Sequence, residues 1–466
     1  MARVPLIKGD SISVETDYRD ALPVNMYAVE REILGGIGYM LCYPGLTKFA
    51  AGVNIDRGGN YNDRFSRQYR VSGTKLIQVN EDGSITELGD IVGTRQAAMP
   101  YSFNTQCIIA NGRMFLYDPA GGFRQVVDTD LGNPLDGVWV DGYYFLTDGE
   151  YVYHTDIDDE ESVHPLKFAT AEFMPDPSIG VAKTQDNKVM VFGRYTVEYF
   201  EDQATENFAF QRVVPRAQKI GIVATHAKCE SGNKWYITGG RKEEALGVHI
   251  LAAGASEKVS TREVDKILSG YIEPELSDMR MESRMEDNVV FVLVHLPNET
   301  LCFNETIAKK LGLQNAWAIL TSGTVGGNYR AINGVFDARL GFWVFGDKQN
   351  GNISKLDNTV FTEFGEPNEW LLYTPFLNLE TASIDEVELE TIPGHTVDSD
   401  ATVAISLTYD GLTYGMEWFQ MYGLPLDYAQ RFIVRRLGYV SDWVGFKFRG
   451  ATRSRMSFAV MDIKYG

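Results

Sequence analysis

Through the middle of the chain, sets of four short apolar runs recur about every 40 to 50 residues, and turn residues close each run. One set is Gly137–Val140, Tyr143–Leu146, Tyr151–His154 and Leu166–Ala169. The next is Ile179–Lys183, Val189–Phe192, Thr196–Phe200 and Phe208–Val213. A third is Thr225–Cys229, Trp235–Thr238, Val248–Leu251 and Lys258–Ser260. Runs such as Val189-Met190-Val191-Phe192 carry no polar alternation, so a strand made from them hides both of its faces. A lone four-stranded sheet cannot do that. Stacking each sheet on the next covers both faces, and closing the stack into a ring removes its ends. The period therefore predicts an all-β chain with a β-propeller of six or seven blades between about residues 56 and 365. The alternative is a large β-sandwich or a stack of irregular strands, because no Trp-Asp dipeptide is present and the kelch double glycine appears only at Gly239-Gly240 and Gly326-Gly327.

After GEPNEW, near residue 366, the pattern changes to longer alternating runs: Trp370–Phe376, Val387–Glu390, Thr402–Thr408, Phe432–Leu437, Val444–Phe448 and Met456–Ile463. These predict a separate β-sandwich-like domain over 366–466. Asp410-Gly411 in SLTYDGLTYG predicts a tight type I′ hairpin inside it. Residues 1–55 are expected to pack on this domain, since chain termini often lie together. Helical signals are confined to residues 257–269, with Val259, Val264, Ile267 and Leu268 on one face, and to Thr306–Leu313.

The formal charge of −20 disfavours a protein that grips DNA through its phosphates, because such binding needs a basic face. The basic residues Arg431, Arg435, Arg436, Lys447, Arg449, Arg453 and Arg455 gather near the C-terminus. Four cysteines (Cys42, Cys107, Cys229 and Cys302) with no CxxC predict buried free thiols in a reducing compartment. The first twenty residues lack the apolar core of a signal peptide, and no run approaches a membrane span.

The chemistry-bearing motifs do not match. A nucleophile elbow, a Walker A loop, HExxH and an EF-hand loop are all missing. Gly35-Gly36-Ile37-Gly38 opens no helix and reads as a loop. The six histidines (His154, His164, His226, His249, His295 and His395) show no metal-ligand spacing. The acidic run Asp156-Ile157-Asp158-Asp159-Glu160-Glu161 lacks the glycine and spaced carboxylates of a calcium loop, so it reads as a solvated turn; lining a channel or meeting a basic partner are its other uses. Thr408-Tyr409-Asp410-Gly411 does not match the sialidase Asp box. No residue is assigned as catalytic, cofactor-binding or metal-ligating, and no cofactor is expected.

Three stretches, in order, resemble one known family. They are CYPGLTKFA (42–50), YRVSGTKLIQVNEDGSITELG (69–89) and SLTYDGLTYGMEW (406–418). All three are similar to segments of the packaged-DNA stabilisation proteins, the tail hubs or nozzles of short-tailed bacteriophages (podoviruses). The resemblance implies a non-enzymatic virion protein of the tail, assembled in the host cytoplasm. It implies a homohexameric ring that docks under the portal-adaptor ring and extends the DNA channel. It also implies that the ring carries tailspikes or fibres, and that a needle or plug closes it to retain packaged DNA until ejection. Double-stranded DNA would pass through without specific binding. The competing readings are a propeller that binds or cleaves carbohydrate, which would need paired carboxylates, and a monomeric scaffold.

Overall fold

Antiparallel strand pairing, most of it between neighbours in sequence, builds eight sheets among the described residues of the computed structural model. Those residues are 2–5, 21–32, 35–157, 159–171, 173–205, 208–252, 254–286, 288–391, 394–397 and 401–466. The first sheet runs Asp56–Asn62, Arg67–Ser72, Lys75–Val79 and Ile85–Asp90. The second has Gln106–Ala110, Arg113–Asp118 and Gly122–Gln125, and bridges from Ala98 and Tyr101 complete its edge. The third (Asp136–Ala169) and fourth (Gly180–Arg212) have four strands each. In the fifth, both Gly221–Ile222 and Lys228–Ser231 pair with Lys234–Gly240, followed by Gly247–Ala252 and Ala255–Lys258. The sixth spans Arg280–Asn328. The seventh contains Ala331–Asp337, Phe342–Asp347 and Asn352–Asp357, and its first strand lies beside Asp56–Asn62, closing the ring. The propeller thus has seven blades.

Burial explains why the central strands carry no polar alternation. Tyr144 and Leu146 pack toward the second sheet, with Ile109 and Leu116. Phe145, between them, packs the other way, against Val189, Val191 and Phe200 of the fourth sheet. Each sheet shares one apolar layer with each neighbour, and Ile77 and Val79 meet Val344 and Ile353 where the first and seventh sheets join.

The ring is closed by a strand from the N-terminal side. Gly45–Ala51 pairs antiparallel with Asn352–Asp357, as the outermost strand of the seventh blade. The propeller therefore begins at Gly45, earlier than the position near 56 that turn residues suggested. Gly45 explains the Pro-Gly-Leu segment: a Cβ there would lie 2.3 Å from the Thr362 carbonyl oxygen. Only glycine lets the two backbones approach so closely.

The seventh sheet does not end with that strand. Thr362–Glu363 runs parallel to it, and Glu366–Tyr373, Trp443–Thr452, Thr402–Thr408 and Trp418–Met421 follow, giving one ten-stranded sheet. A second sheet covers the C-terminal part of the first. It contains Met26–Val29, Tyr39–Cys42, Ser457–Tyr465, Ala382–Thr391 and Phe432–Val440, with Ala2–Pro5 also paired to Ser457–Tyr465. Trp370, Leu372, Ile405, Phe448, Val387, Leu389 and Phe458 fill the space between. The C-terminal region and the N-terminal segment together form this β-sandwich.

Two local expectations change. The segment 257–269 is a helix only over Arg262–Ser269, because Ala255–Lys258 is an edge strand of the fifth blade. The hairpin at Asp410-Gly411 is not a two-residue turn. Thr402–Thr408 meets Trp418–Met421 across the loop 409–417, since Ile405 pairs with Trp418. Asp410 Oδ1 accepts from the Leu412 and Thr413 amides at 2.8 Å each, taking the amides that a tight hairpin would give to the facing strand.

Asn25 joins the two units. Its backbone lies between blade six and the sandwich: its amide donates to Ile319 O (2.8 Å), and the neighbouring Val24 exchanges hydrogen bonds with Leu371 (2.9 and 3.0 Å). The buried side chain donates to Thr321 Oγ1 (2.9 Å) and Glu369 O (2.7 Å) and accepts from the Thr321 amide (2.9 Å). Its φ is +52°, a conformation that asparagine tolerates and most residues resist. Asn25→Ala is expected to cost about 3–4 kcal/mol, from three buried hydrogen bonds and the left-handed backbone. Asn25→Gly should recover only the backbone part. Denaturant unfolding of both variants checks this, and an Asn25→Ala midpoint equal to that of the parent would refute it.

Candidate functional site

Charged groups inside the fold concentrate where blades one, six and seven meet. At the seam closing the ring, Arg70 Nε donates to Asp56 Oδ2 (2.7 Å), and both side chains are buried. Asn333 Nδ2 donates to Asp56 Oδ1 (2.7 Å), and Arg70 Nη2 donates to Asn333 O (2.8 Å). Burial pushes the Asp56 carboxyl up, and Arg70 pulls it back. Arg57 donates to the carbonyls of Arg95, Gly73 and Val92 (2.7, 2.7 and 2.9 Å). The charged groups find partners within the fold, which makes the seam specific rather than reactive. Removing one partner of such a buried pair typically costs about 3–5 kcal/mol.

A second network lies on blade six. Glu282 Oε1 pairs with His295 Nε2 (2.9 Å), and its Oε2 accepts from the Gly334 amide (2.8 Å). Lys348 Nζ donates to Thr300 Oγ1 and Asn328 Oδ1 (3.2 Å each), and Thr300 in turn touches His295 Nδ1 (3.2 Å). Burial and Lys348 push the His295 imidazole down to about 4, so it is neutral at pH 7 and donates to the ionised Glu282. Burial also lowers Lys348 to about 8. A buried acid–histidine–lysine chain resembles catalytic machinery, but here every member is committed to an internal partner.

The residues singled out in the sequence are dispersed. All four cysteines are buried and free, and burial pushes the Cys42 and Cys302 thiols up to about 12. His164 and His395 are exposed, whereas His154, His249 and His295 are buried on separate blades. Among the described residues, no group of three or more metal-ligating side chains comes together. No helix of the described residues is long and apolar enough to cross a membrane.

The acidic run is an inter-strand turn as expected, with Asp159 and Glu161 exposed, but it is not simply solvated. It lies in the hairpin of blade three, where Asp156 pairs with Lys167 and Glu161 with Arg124. Glu160 is buried and accepts from Thr105 Oγ1 (2.6 Å); Asp158 lies outside the described residues. Several of the basic residues near the C-terminus are likewise committed. Arg431 pairs with Glu388, Arg435 and Lys464 with Glu386, and Arg449 with Glu417 and Glu369.

Comparison with known proteins gives this geometry a family. The family model described as "Bacteriophage P22 Gp10, beta-propeller" matches residues 2–361, and "Bacteriophage P22 Gp10, beta-sandwich" matches 369–466. The chain belongs to the P22 Gp10 family. The "Tail hub protein gp10" of Salmonella phage P22 is 28% identical over 99% of both chains. Two solved structures are similar at a greater distance. Virginiamycin B lyase from Staphylococcus aureus is 8% identical with a TM-score of 0.41, over 65% of this chain and 94% of that one. The extracellular domain of BT4673 from B. thetaiotaomicron is 9% identical with a TM-score of 0.46, over 83% and 47%.

Sequence reading passed over the place where the family's two units join. There Glu363, buried in the short strand shared by propeller and sandwich, has its carboxyl raised to about 7 by burial, with Ser322, Asn368 and Arg330 opposing. A carboxyl whose folded pKa exceeds its unfolded value stabilises fully below about 4.5, and that contribution is lost as pH rises through about 7. Glu363→Gln is therefore expected to gain stability relative to the parent between pH 4.5 and 8, by on the order of 3 kcal/mol. Urea midpoints across that range test this; a gap independent of pH would contradict it.

Proposed function

We propose that this protein is a structural hub of a short phage tail, a nozzle ring with no enzymatic role. The observation that carries the reading is the end-to-end match, through both units, to a tail hub protein. The hub is a homohexamer below the portal-adaptor ring. It extends the DNA channel, retains the packaged genome with a needle or plug, and carries tailspikes or fibres. It belongs to the virion tail and is assembled in the host cytoplasm. The strand pairing supports a division into two units: a propeller over about 45–365, and a sandwich over 366–466 that takes in the segment before Gly45.

Charge and surface support this reading. A chain with net charge −20 repels the DNA backbone, so a duplex slides past rather than sticks. The sandwich ends in an edge strand, Trp418–Met421, whose Phe419 is 66% exposed, and Leu412, Met416, Leu426 and Tyr428 are exposed in the loops beside it. Exposed apolar side chains beside a free strand edge favour assembly over a free monomer. A ring places one such surface against a different face of the next copy.

Light scattering of the purified chain, alone and with a portal–adaptor complex, tests the proposal. A six-copy ring in either condition is the expected result. A 52.2 kDa monomer that ignores the adaptor would refute it, and polysaccharide cleavage would then be the activity to assay.

A further inference from the structure

Between the N-terminal segment, blade six and the sandwich lies a cavity of about 280 Å³. Its walls include Tyr27, Leu41, Val289, Phe291 and Phe361, and two cations reach it: Arg284 from the propeller and Arg455 from the sandwich. Arg284 is only 2% exposed, yet among the described residues Nε, Nη1 and Nη2 all lack a hydrogen-bond partner, and so does Arg455 Nε. The rings of Tyr43 and Phe291 face the Arg284 guanidinium, with centroids at 5.3 and 4.7 Å. They satisfy its faces but leave its in-plane N–H groups without acceptors. Among the described residues the nearest acid, Glu286, lies 3.6 Å from Arg284 Nε, beyond a good hydrogen bond, and its other oxygen is held by Asn358. Two guanidiniums and one carboxylate leave the cavity walls net positive, in a chain that is otherwise strongly acidic.

A buried guanidinium without acceptors is costly, because its desolvation is not repaid. The group that matches its fork is a compact oxyanion taken bidentately. We propose that this cavity binds one phosphate or carboxylate group, gripped by Arg284 and Arg455 together, and so pins propeller to sandwich. The apolar walls admit a carboxylate carried on a small ring as readily as a bare phosphate.

The test is isothermal titration of the full chain with inorganic phosphate and, separately, with benzoate, at matched ionic strength. Saturable binding of at least one probe is expected, with a melting midpoint that rises with its concentration; the tighter probe tells which oxyanion source the site prefers. Arg284→Gln and Arg455→Gln should each weaken binding roughly ten- to a hundredfold. Arg455 is only partly buried, so its variant keeps the test valid if Arg284→Gln does not fold. Val289→Trp, which fills the cavity and leaves both arginines in place, should abolish binding. No saturable binding of either probe, or affinities unchanged in Arg455→Gln and Val289→Trp, would overturn the proposal.

Discussion

Everything beyond the propeller depends on one backbone contact: the strand Gly45–Ala51, laid along the outside of blade seven. This strand closes the ring, and it also starts the continuation of the sheet into the sandwich. Hydrogen bonds along a continuous sheet resist sliding because a slip of one residue would turn every side chain to the wrong face. Asn25 adds a second tie about twenty residues earlier, fastening blade six to the first strand of the sandwich. Two units that would otherwise meet through a flexible linker are held as one body.

The same frame explains where the charges go. The interiors of the blades are apolar layers, so the charged interior groups collect where layers cannot interdigitate: at the closing seam (Asp56, Arg70), on the inner strand of blade six (Glu282, Arg284) and at the junction (Glu363). At the first of these, partners satisfy one another. Beside Glu363 and Arg284 they do not, which is why the junction and not the seam stands out as the place able to respond to pH or to a bound ion.

Much of this was legible in the sequence because local periodicity is a strong signal. Strands such as Tyr143–Leu146 and Val189–Phe192 are apolar on both faces, and stacked blades are the arrangement that hides them. Pro44-Gly45-Leu46 marked the family, although its physical reason, the 2.3 Å approach to Thr362, appears only in three dimensions. The Asp410-Gly411 turn misled because local turn chemistry cannot show that a side chain will capture the amides of its own loop. The junction was illegible for a different reason. Asn25, Arg284, Glu363 and Arg455 are far apart in sequence, each is unremarkable alone, and only long-range pairing brings their surroundings together.

Native-state hydrogen exchange at the amides of Asn25, Thr321 and Phe364 tests the rigid coupling most directly, because each donates across the junction, to Ile319 O, Asn25 Oδ1 and Leu46 O. These amides are expected to exchange only through global unfolding, with the same denaturant dependence as the cores of the blades. Fast exchange there, insensitive to denaturant while the blade cores stay protected, would mean that propeller and sandwich open independently and would contradict the account.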